Sequence, residues 1–429
     1  MMPEKLQNNK KTSMKQQDEI NDVKQNKINF IAIIMLLGFV IAVFYYYVQG
    51  VYLGRGYPYN TCFFIPIDRF NDFVNTYNLT ANLNPYFEEY FFNSNYYPFL
   101  HILFYPFTFL SVGYALLVFI LLFAAVLFYF NYIYLKTDNL LETIKNVLII
   151  SICSYPVLFI IDRGSFEGII FALLAGFFIA MEKKEENTAC IFLASAIATK
   201  LYPAVFIVLL ITEKKYKAAI KTCFLVIFFT LVSLFLFEGG FVKNLDHMFG
   251  FGHGTSTYIA NSMAIQRCVS LFTVLKISII KLGWINSVDF NNVLSIYMIA
   301  VFSTFLVVSY LIWRISFKTW EKVFLLVSMM LLFPHISGDY KLIFMYLPLW
   351  FLVNEDSSSR SDYLYLAAIG VLLIPKNYFL LEGIFSDSGR SDLSTGIFVN
   401  VLLMVALSLS IVVGAIRRSI SSGTKPVIP

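Results

Sequence analysis

The sequence predicts an all-α polytopic membrane protein with about twelve transmembrane helices, and three observations lead to that class. First, 58% of its 429 residues are hydrophobic and only 14% are charged, whereas about 25% are charged in a typical soluble domain. Second, apolar runs of helical length recur along the chain. Third, the connections between these runs alternate between short basic segments and longer segments rich in Tyr, Asn and Gly. This composition excludes a soluble enzyme and a disordered chain.

The apolar runs give the expected positions of the spans. The first span is expected at Ile28–Val48, because about 20 apolar residues in a helix match the hydrocarbon thickness of a bilayer. The later runs lie near 111–135, 145–161, 167–181, 188–202, 203–212, 222–237, 293–313, 322–334, 342–353, 363–374 and 396–415. Several are too short to cross alone, which is typical of broken helices that line a cavity.

The Lys and Arg residues indicate which connections face the cytoplasm, since basic loops stay on that side. Both termini are therefore expected inside, with a cytoplasmic tail at 1–27, a single transmembrane domain at 28–416 and a second cytoplasmic tail at 417–429. The outer loops are then 49–97, 238–292 and 375–395. Most of the chain outside the membrane is expected on this outer side.

Net charge and cysteine content say less about function. The formal net charge of +5 suits cytoplasmic loops that face anionic lipid and is too small to indicate nucleic-acid binding. None of the five cysteines stands in a CxxC spacing. Cys62 and Cys268 fall on the expected outer side, so they could form a disulfide there or remain small core residues.

The first outer loop is rich in aromatic residues and Asn, and we expect it to fold onto the membrane surface as short interfacial helices. Asp68 and Asp72 are four residues apart in this loop, so on one helix they would share a face. Two interpretations stay open from spacing alone. The carboxylates are either part of a site or solvated loop residues, with Asp68 paired to a nearby Arg.

A second group of charges lies beside or inside the apolar runs, where ionisable side chains are costly and usually face a cavity, a partner or a substrate. Its members are Asp162, Arg163, Lys200, His335, Asp339, Lys341 and Lys376. Each has a structural alternative, such as an ion pair of Asp162 with Arg163 or of Asp339 with Lys341, or a lysine that reaches the interface. Several cations on one side of the membrane also suit an anionic headgroup.

Metal and nucleotide motifs are not found in the sequence. The four His residues do not have the spacing of a metal site, and no acidic cluster demands an ion. The glycine-rich stretch at 249–254 lacks the GK[ST] ending of a P-loop. We therefore expect no cofactor and no nucleotide-driven transport.

Motifs across residues 60–350 resemble the integral-membrane glycosyltransferases of the GT-C class, and within it glycosyltransferase family 87. The stretches that carry the resemblance are Asp72-Phe73, Asn84-Pro85-Tyr86, Tyr97-Pro98, Tyr105-Pro106, Arg163-Gly164, the basic turn Lys183-Lys184, Ala198-Thr199-Lys200-Leu201-Tyr202-Pro203, Asn261-Ser262 and the run from His335 to Pro348. One departure is the pair after Arg-Gly, which often contains Asn in the family and is Ser165-Phe166 here.

The resemblance implies a GT-C-like fold and transfer of a sugar from a polyprenyl-phosphate donor to a lipid or glycan acceptor, with inversion, on the outer face of a bacterial plasma membrane. It implies that Asp72 is the general base that activates the acceptor hydroxyl, with Asp68 as runner-up. Cations near the leaving phosphate would lower the barrier. The candidates for this role are Arg163, Lys200, His335 and Lys341, with Lys376 the weakest. The lipid-phosphate sugar is a co-substrate, no residue is assigned to a metal, and metal dependence stays open.

Three other functions are compatible with a polytopic membrane chain. A transporter or flippase of lipid-linked glycans would favour internal repeats with paired broken helices, and no convincing repeat is found. A polysaccharide polymerase or ligase usually carries its large outer loop later in the chain. A structural component would leave the clustered charges unexplained.

Overall fold

The structure, a computed structural model, describes residues 4–63, 66–83, 85–86, 96–246, 248, 267–284, 289–356, 359–379, 381–386 and 389–421. The helices run Glu4–Tyr47 (α1), Asn71–Ala81 (α2), Pro98–Phe104 (α3), Val112–Leu135 (α4), Leu140–Ile152 (α5), Tyr155–Arg163 (α6), Glu167–Glu182 (α7), Glu186–Thr199 (α8), Ile207–Thr212 (α9), Tyr216–Leu236 (α10), Leu271–Lys281 (α11), Phe290–Arg314 (α12), Thr319–Leu332 (α13), Tyr346–Val353 (α14), Arg360–Leu373 (α15) and Thr395–Ser421 (α16). Short 3-10 helices lie at Pro66–Asp68, Tyr105–Phe109, Tyr202–Phe206 and Asp339–Met345, and a π-helical turn at Val48–Tyr52.

The helical class expected from the sequence is confirmed, and the helix positions follow the apolar runs closely. Among the described residues, five helices are long and apolar enough to cross a membrane, or six if α5 and α6, bent by 58° at their break, count as one span. The remaining apolar helices are shorter. The figure of about twelve spans therefore stays a prediction, and so do the cytoplasmic positions of the termini. The segment expected as an N-terminal tail is helical and continues into the first span as α1.

The outer surface of the helical bundle is apolar and suits contact with lipid. Large apolar side chains are exposed along α4, α10 and α12, including Leu121, Phe224 and Ile299, which is 69% exposed. A water-soluble protein rarely leaves an apolar surface of this extent uncovered. The length, composition and exposed faces of these helices identify the chain as a membrane protein.

The centre of the bundle is the stretch in which the 3-10 helix Asp339–Met345 continues directly into α14. Every residue from Leu342 to Trp350 is buried. Two side chains fix the segment, since the Trp350 indole donates to Asn131 at 2.9 Å and the Tyr346 hydroxyl donates to the Ile150 carbonyl at 2.6 Å. Because protein surrounds it, this segment can depart from regular α-helix inside the bundle.

A second broken segment lies earlier in the chain. Helix α8 ends at Thr199, Lys200 is extended, and the 3-10 helix Tyr202–Phe206 leads into α9. Pro203 is in the first turn of this 3-10 helix, where its missing N–H costs little. Both broken segments carry polar residues at the break, Lys200 in one and Asp339 and Lys341 in the other.

The expected outer loops contain regular structure. Residues 49–97 include a 3-10 turn and α2, which agrees with the short helices expected there. Residues 375–395 contain a hairpin that the sequence did not predict, with strands Leu381–Ser386 (β1) and Gly389–Leu393 (β2) paired antiparallel. Cys62 and Cys268 are both free thiols.

Candidate functional site

The end of α6 brings Arg163 against the first turn of α2. Gly164 follows with φ +62°, and it closes the helix with a Schellman motif in which Ser165 N–H donates to the Ile160 carbonyl at 2.9 Å. A Cβ on Gly164 would lie 2.5 Å from the Cβ of Phe73. Only glycine therefore lets Phe73 approach, and with it the neighbouring Asp72, which forms an ion pair with Arg163.

The turn before α2 is fastened to the same helix end. Phe70 takes a left-handed conformation, with φ 58°, and its N–H donates to the Asp162 carbonyl at 2.8 Å. The Asp162 carboxylate lies 3.5 Å from Nε of Arg69. The expected alternative, in which Asp162 pairs with its neighbour Arg163, is wrong. Asp162 pairs with Arg69 and Arg163 pairs with Asp72, both from the segment at the start of α2.

Asp68 and Asp72 do not share a helix face. Asp68 ends the 3-10 helix Pro66–Asp68, whereas Asp72 belongs to α2, and the left-handed Phe70 lies between the two elements. Asp68 contacts Arg163 through its backbone carbonyl, which accepts from Nη1 at 2.9 Å. Asp72 contacts Arg163 through its carboxylate Oδ1. Among the described residues, Asp72 Oδ2 has no hydrogen-bond partner.

A second ion pair involves the carboxylate four residues after Arg163, at the start of the next helix. Glu167, the first residue of α7, is 2% exposed, and its Oε1 is 2.9 Å from Nζ of Lys200. Its Oε2 accepts a hydrogen bond from the Tyr202 hydroxyl. The break between α8 and α9 therefore aims Lys200 and Tyr202 at one carboxylate. The term polar cluster refers below to Asp72, Arg163, Glu167, Lys200, Tyr202 and Lys341.

Lys341 reaches the polar cluster from the other broken segment. Its ammonium group is 4.8 Å from the ring centre of Tyr202, a favourable cation–π distance. Burial first, and then the charge of Lys200, lowers the pKa of Lys341 to about 8. His335 precedes this segment, and burial together with the charge of Lys341 lowers the pKa of His335. At neutral pH His335 is therefore a neutral hydrogen-bonding group.

Tyrosine rings surround the two ion pairs. Burial first, and then the negative charges of Asp72 and Glu167, raises the pKa of both Tyr96 and Tyr340 well above its usual value. The Tyr96 ring centre is 4.9 Å from the Lys200 ammonium. Its backbone carbonyl accepts from the Tyr86 hydroxyl at 3.0 Å. Both tyrosines remain phenols that can donate hydrogen bonds.

Asp339 belongs to a separate buried group behind the polar cluster. Its Oδ2 accepts from Asn377 at 3.1 Å and is 3.4 Å from the Tyr155 hydroxyl. Burial lowers the pKa of Lys376 to about 7, and the charge of Asp339 opposes that shift. The expected pair of Asp339 with Lys341 is therefore wrong, because the two side chains face different groups. The Lys376 ammonium donates to the Leu372 carbonyl at 2.8 Å and to the Ile374 carbonyl at 3.2 Å, and Asp339 acts on it through its charge.

Four of the sequence-predicted residues thus meet in one place, namely Asp72, Arg163, Lys200 and Lys341. His335 is close to Lys341, and Asp68 contributes only its backbone carbonyl. Asn261-Ser262 lies outside the described residues. No group of three His, Cys, Asp or Glu side chains among those described could hold a metal ion.

Sequence reasoning missed Glu167 and the tyrosines. The signal for Glu167 was a carboxylate at the start of an apolar run, four residues after Arg163, where an ionisable group indicates a site. Tyr96 and Tyr340 had no local signal, because tyrosine is abundant in this chain, with 27 residues. Their positions depend on contacts between distant segments.

The fold and the polar cluster together define a helical membrane protein with a partly buried site of two carboxylates and three cationic side chains. A comparison with protein families gives the class of the chain. Residues 95–337, more than half of the chain, match the model of glycosyltransferase family 87. The chain belongs to this family and is a glycosyltransferase. Searches of the curated proteins and of the solved structures gave no match.

Proposed function

We propose that the chain transfers a hexosyl or pentosyl unit from a polyprenyl-phosphate donor to a lipid or glycan acceptor, on the extracytoplasmic face of a bacterial plasma membrane. In the proposed step the acceptor hydroxyl attacks C1 of the sugar and Asp72 takes the hydroxyl proton. The C1–O bond to phosphate breaks as the new bond forms, so the anomeric configuration inverts. Polyprenyl phosphate leaves as an anion.

The observation that carries this proposal is that one carboxylate of the cluster has both oxygens occupied and the other has one oxygen without a partner. Both oxygens of Glu167 are engaged, one by Lys200 and one by Tyr202. Asp72 accepts a hydrogen bond from Arg163 through Oδ1, and its Oδ2 has no hydrogen-bond partner among the described residues. A general base needs an oxygen within reach of the substrate proton, and of the two carboxylates in the cluster Asp72 meets that need.

The charge of the polar cluster favours a donor with a single phosphate. Arg163, Lys200 and Lys341 contribute three positive charges when protonated, and Asp72 and Glu167 contribute two negative ones, which leaves +1. A phosphodiester carries one negative charge, whereas a nucleotide sugar or a diphosphate-linked sugar carries two or more. Unpaired charge in a buried site is costly, so the single charge matches best.

An apolar groove beside the cluster suits a lipid-linked donor. The groove has a volume of about 350 Å³ and follows α4 and α7 along residues that include Phe119, Phe123, Gly168 and Ala172. Gly168 directly follows Glu167 in α7, and the ring of Phe119 packs 5.3 Å from that of Phe73. A polyprenyl chain in this groove would hold its phosphate near the cations.

The experiment that tests the proposal incubates the purified protein with a panel of polyprenyl-phosphate sugars and, in parallel, with nucleotide sugars, each together with a bacterial lipid and glycan extract that supplies acceptors. We expect one or more of the lipid-linked sugars to be consumed and none of the nucleotide sugars. Consumption of a nucleotide sugar alone would refute the donor class. Movement of a sugar lipid across the bilayer without bond formation would support the flippase alternative.

A further inference from the structure

Glu167 is a buried carboxylate that the proposed chemistry does not use. It is 2% exposed, and both of its oxygens are occupied, by the Lys200 ammonium at 2.9 Å and by the Tyr202 hydroxyl. It begins α7 directly after Phe166, which is fully buried in an aromatic cluster with Phe73. A side chain held this firmly at the start of a helix is suited to orient its partners.

Its partners are the two lysines that need a counter-charge. Lys341 is 4% exposed, and its ammonium group is 4.8 Å from the centre of the Tyr202 ring. Besides burial, the charges of Lys200, Glu167 and Cys268 act on the pKa of Lys341, and Lys341 in turn acts on the pKa of His335. Two ammonium groups in one partly buried site repel each other, and burial disfavours the charged form of each. Glu167 is the negative charge that opposes both effects at Lys341. The centre of the Tyr202 ring is 5.8 Å from the Lys200 ammonium and 4.8 Å from the Lys341 ammonium.

We propose that Glu167, held in place by Tyr202, is a positioning residue that keeps Lys200 and Lys341 charged and side by side for the donor phosphate. This inference rests on the proposed function, because it assigns the lysines to a phosphate. A simpler expectation is that a carboxylate near an anion site only repels the ligand. The two ideas predict effects of opposite sign when the negative charge is removed.

The test measures binding of polyprenyl phosphate, without sugar, to the purified full-length protein and to Glu167→Gln. If Glu167 positions the lysines, the variant binds at least ten-fold more weakly, since a lysine that has lost its counter-charge releases its proton or moves. If Glu167 only repels the anion, the variant binds more tightly. Unchanged or tighter binding overturns the proposal.

Two further variants separate positioning from folding. Glu167→Asp keeps the charge and should recover part of the affinity. Glu182→Gln is the matched control, because Glu182 ends the same helix and also accepts from a tyrosine, Tyr134, at 2.9 Å, but forms no contact with the lysines of the cluster. Equal losses in the Glu167 and Glu182 variants would mean a structural role and would overturn the proposal.

The pH dependence of binding also distinguishes positioning from a structural role, because a purely structural residue would not change it. Binding should weaken as pH rises through the pKa of Lys341, about 8 in the intact cluster. In Glu167→Gln this loss should begin at a pH lower by about one unit. Lowering the pH only to about 7, where the phosphomonoester keeps most of its second charge, should restore part of the affinity. An identical pH dependence in both proteins would contradict the inference. Failure of the wild-type protein to bind polyprenyl phosphate at any pH would instead refute the proposed donor.

Discussion

Replacing Asp72 by Asn is the substitution that examines the proposed chemistry most narrowly. The change keeps the shape of the side chain and removes its ability to accept a proton at neutral pH. The matched control is Asp68→Asn, in the same loop. Asp68 binds Arg163 through its backbone carbonyl at 2.9 Å, and a side-chain substitution leaves that bond in place.

The expected magnitude follows from the two roles of Asp72. A general base typically contributes about 10²- to 10⁴-fold to a rate, which corresponds to about 3–5 kcal/mol of barrier. The ion pair with Arg163 adds a smaller effect on stability. The two side chains are only 20% and 14% exposed, so Asn leaves Arg163 partly buried without its counter-charge, which should cost about 1–3 kcal/mol of unfolding free energy. The variant should therefore fold and insert while its turnover falls at least a hundred-fold.

The assay compares turnover of the three proteins at saturating donor, with thermal unfolding in detergent to check that each is folded. We expect Asp68→Asn to stay within about three-fold of wild type, because a surface substitution without a named contact has a small effect. The reasoning would be refuted if Asp68→Asn lost more activity than Asp72→Asn. In that case the proton acceptor would be Asp68. If neither variant lost activity, a carboxylate in this loop would not be the base.

Three further predictions concern the groups around Asp72. Gly164→Ala should lower the unfolding temperature by the equivalent of at least 1–2 kcal/mol, because its φ is +62° and the added Cβ meets Phe73. Gly113→Ala, with open space at its Cβ, is the control and should be neutral or stabilising; equal effects would contradict the close-approach argument. Arg163→Lys should reduce turnover about ten-fold or more, since a lysine cannot bind a carbonyl and a carboxylate together as the guanidinium does. A variant with the wild-type rate would show that Arg163 does not need to bind both groups. Ala172→Phe, which fills the apolar groove, should raise the KM for long-chain donors and leave the KM for short-chain donors unchanged. An equal effect on both would show that the groove does not bind the donor.

The sequence predicted most of the helices because burial in this protein is a matter of contiguous apolar runs. The run near 322–334 corresponds to α13, and the run near 363–374 to α15. Composition also identified the rare charges worth attention, since an ionisable residue in an apolar run is expensive and seldom incidental. Arg163, Lys200 and Lys341 were all found in this way.

The pairing of those charges could not be predicted, because each ion pair joins segments that are distant in the chain. Local spacing paired Asp162 with Arg163, whereas the fold pairs Arg163 with Asp72, 91 residues earlier. The geometry depends on Gly164, whose left-handed conformation opens the space that Phe73 fills. A periodicity argument contains no information about such an approach.

Pairing between distant segments also explains why the sequence did not identify Glu167. On the sequence it is one acidic residue at the start of a span, and it acquires its meaning only when the break after α8 turns Lys200 toward it. The broken segments were expected from their length, but their facing residues were not. Which residues two breaks bring together is decided by the packing of the whole bundle.

The most direct test of the central claim is the stoichiometry of products. The purified protein is given a polyprenyl-phosphate sugar and an acceptor, and the released polyprenyl phosphate and the new glycoside are both quantified, with the anomeric configuration of the glycoside determined by NMR. Direct transfer with inversion predicts one polyprenyl phosphate for each glycoside and an inverted anomeric centre, and both products should form at least a hundred-fold more slowly with Asp72→Asn. Retention of configuration, or glycoside formed without release of polyprenyl phosphate, would contradict the account.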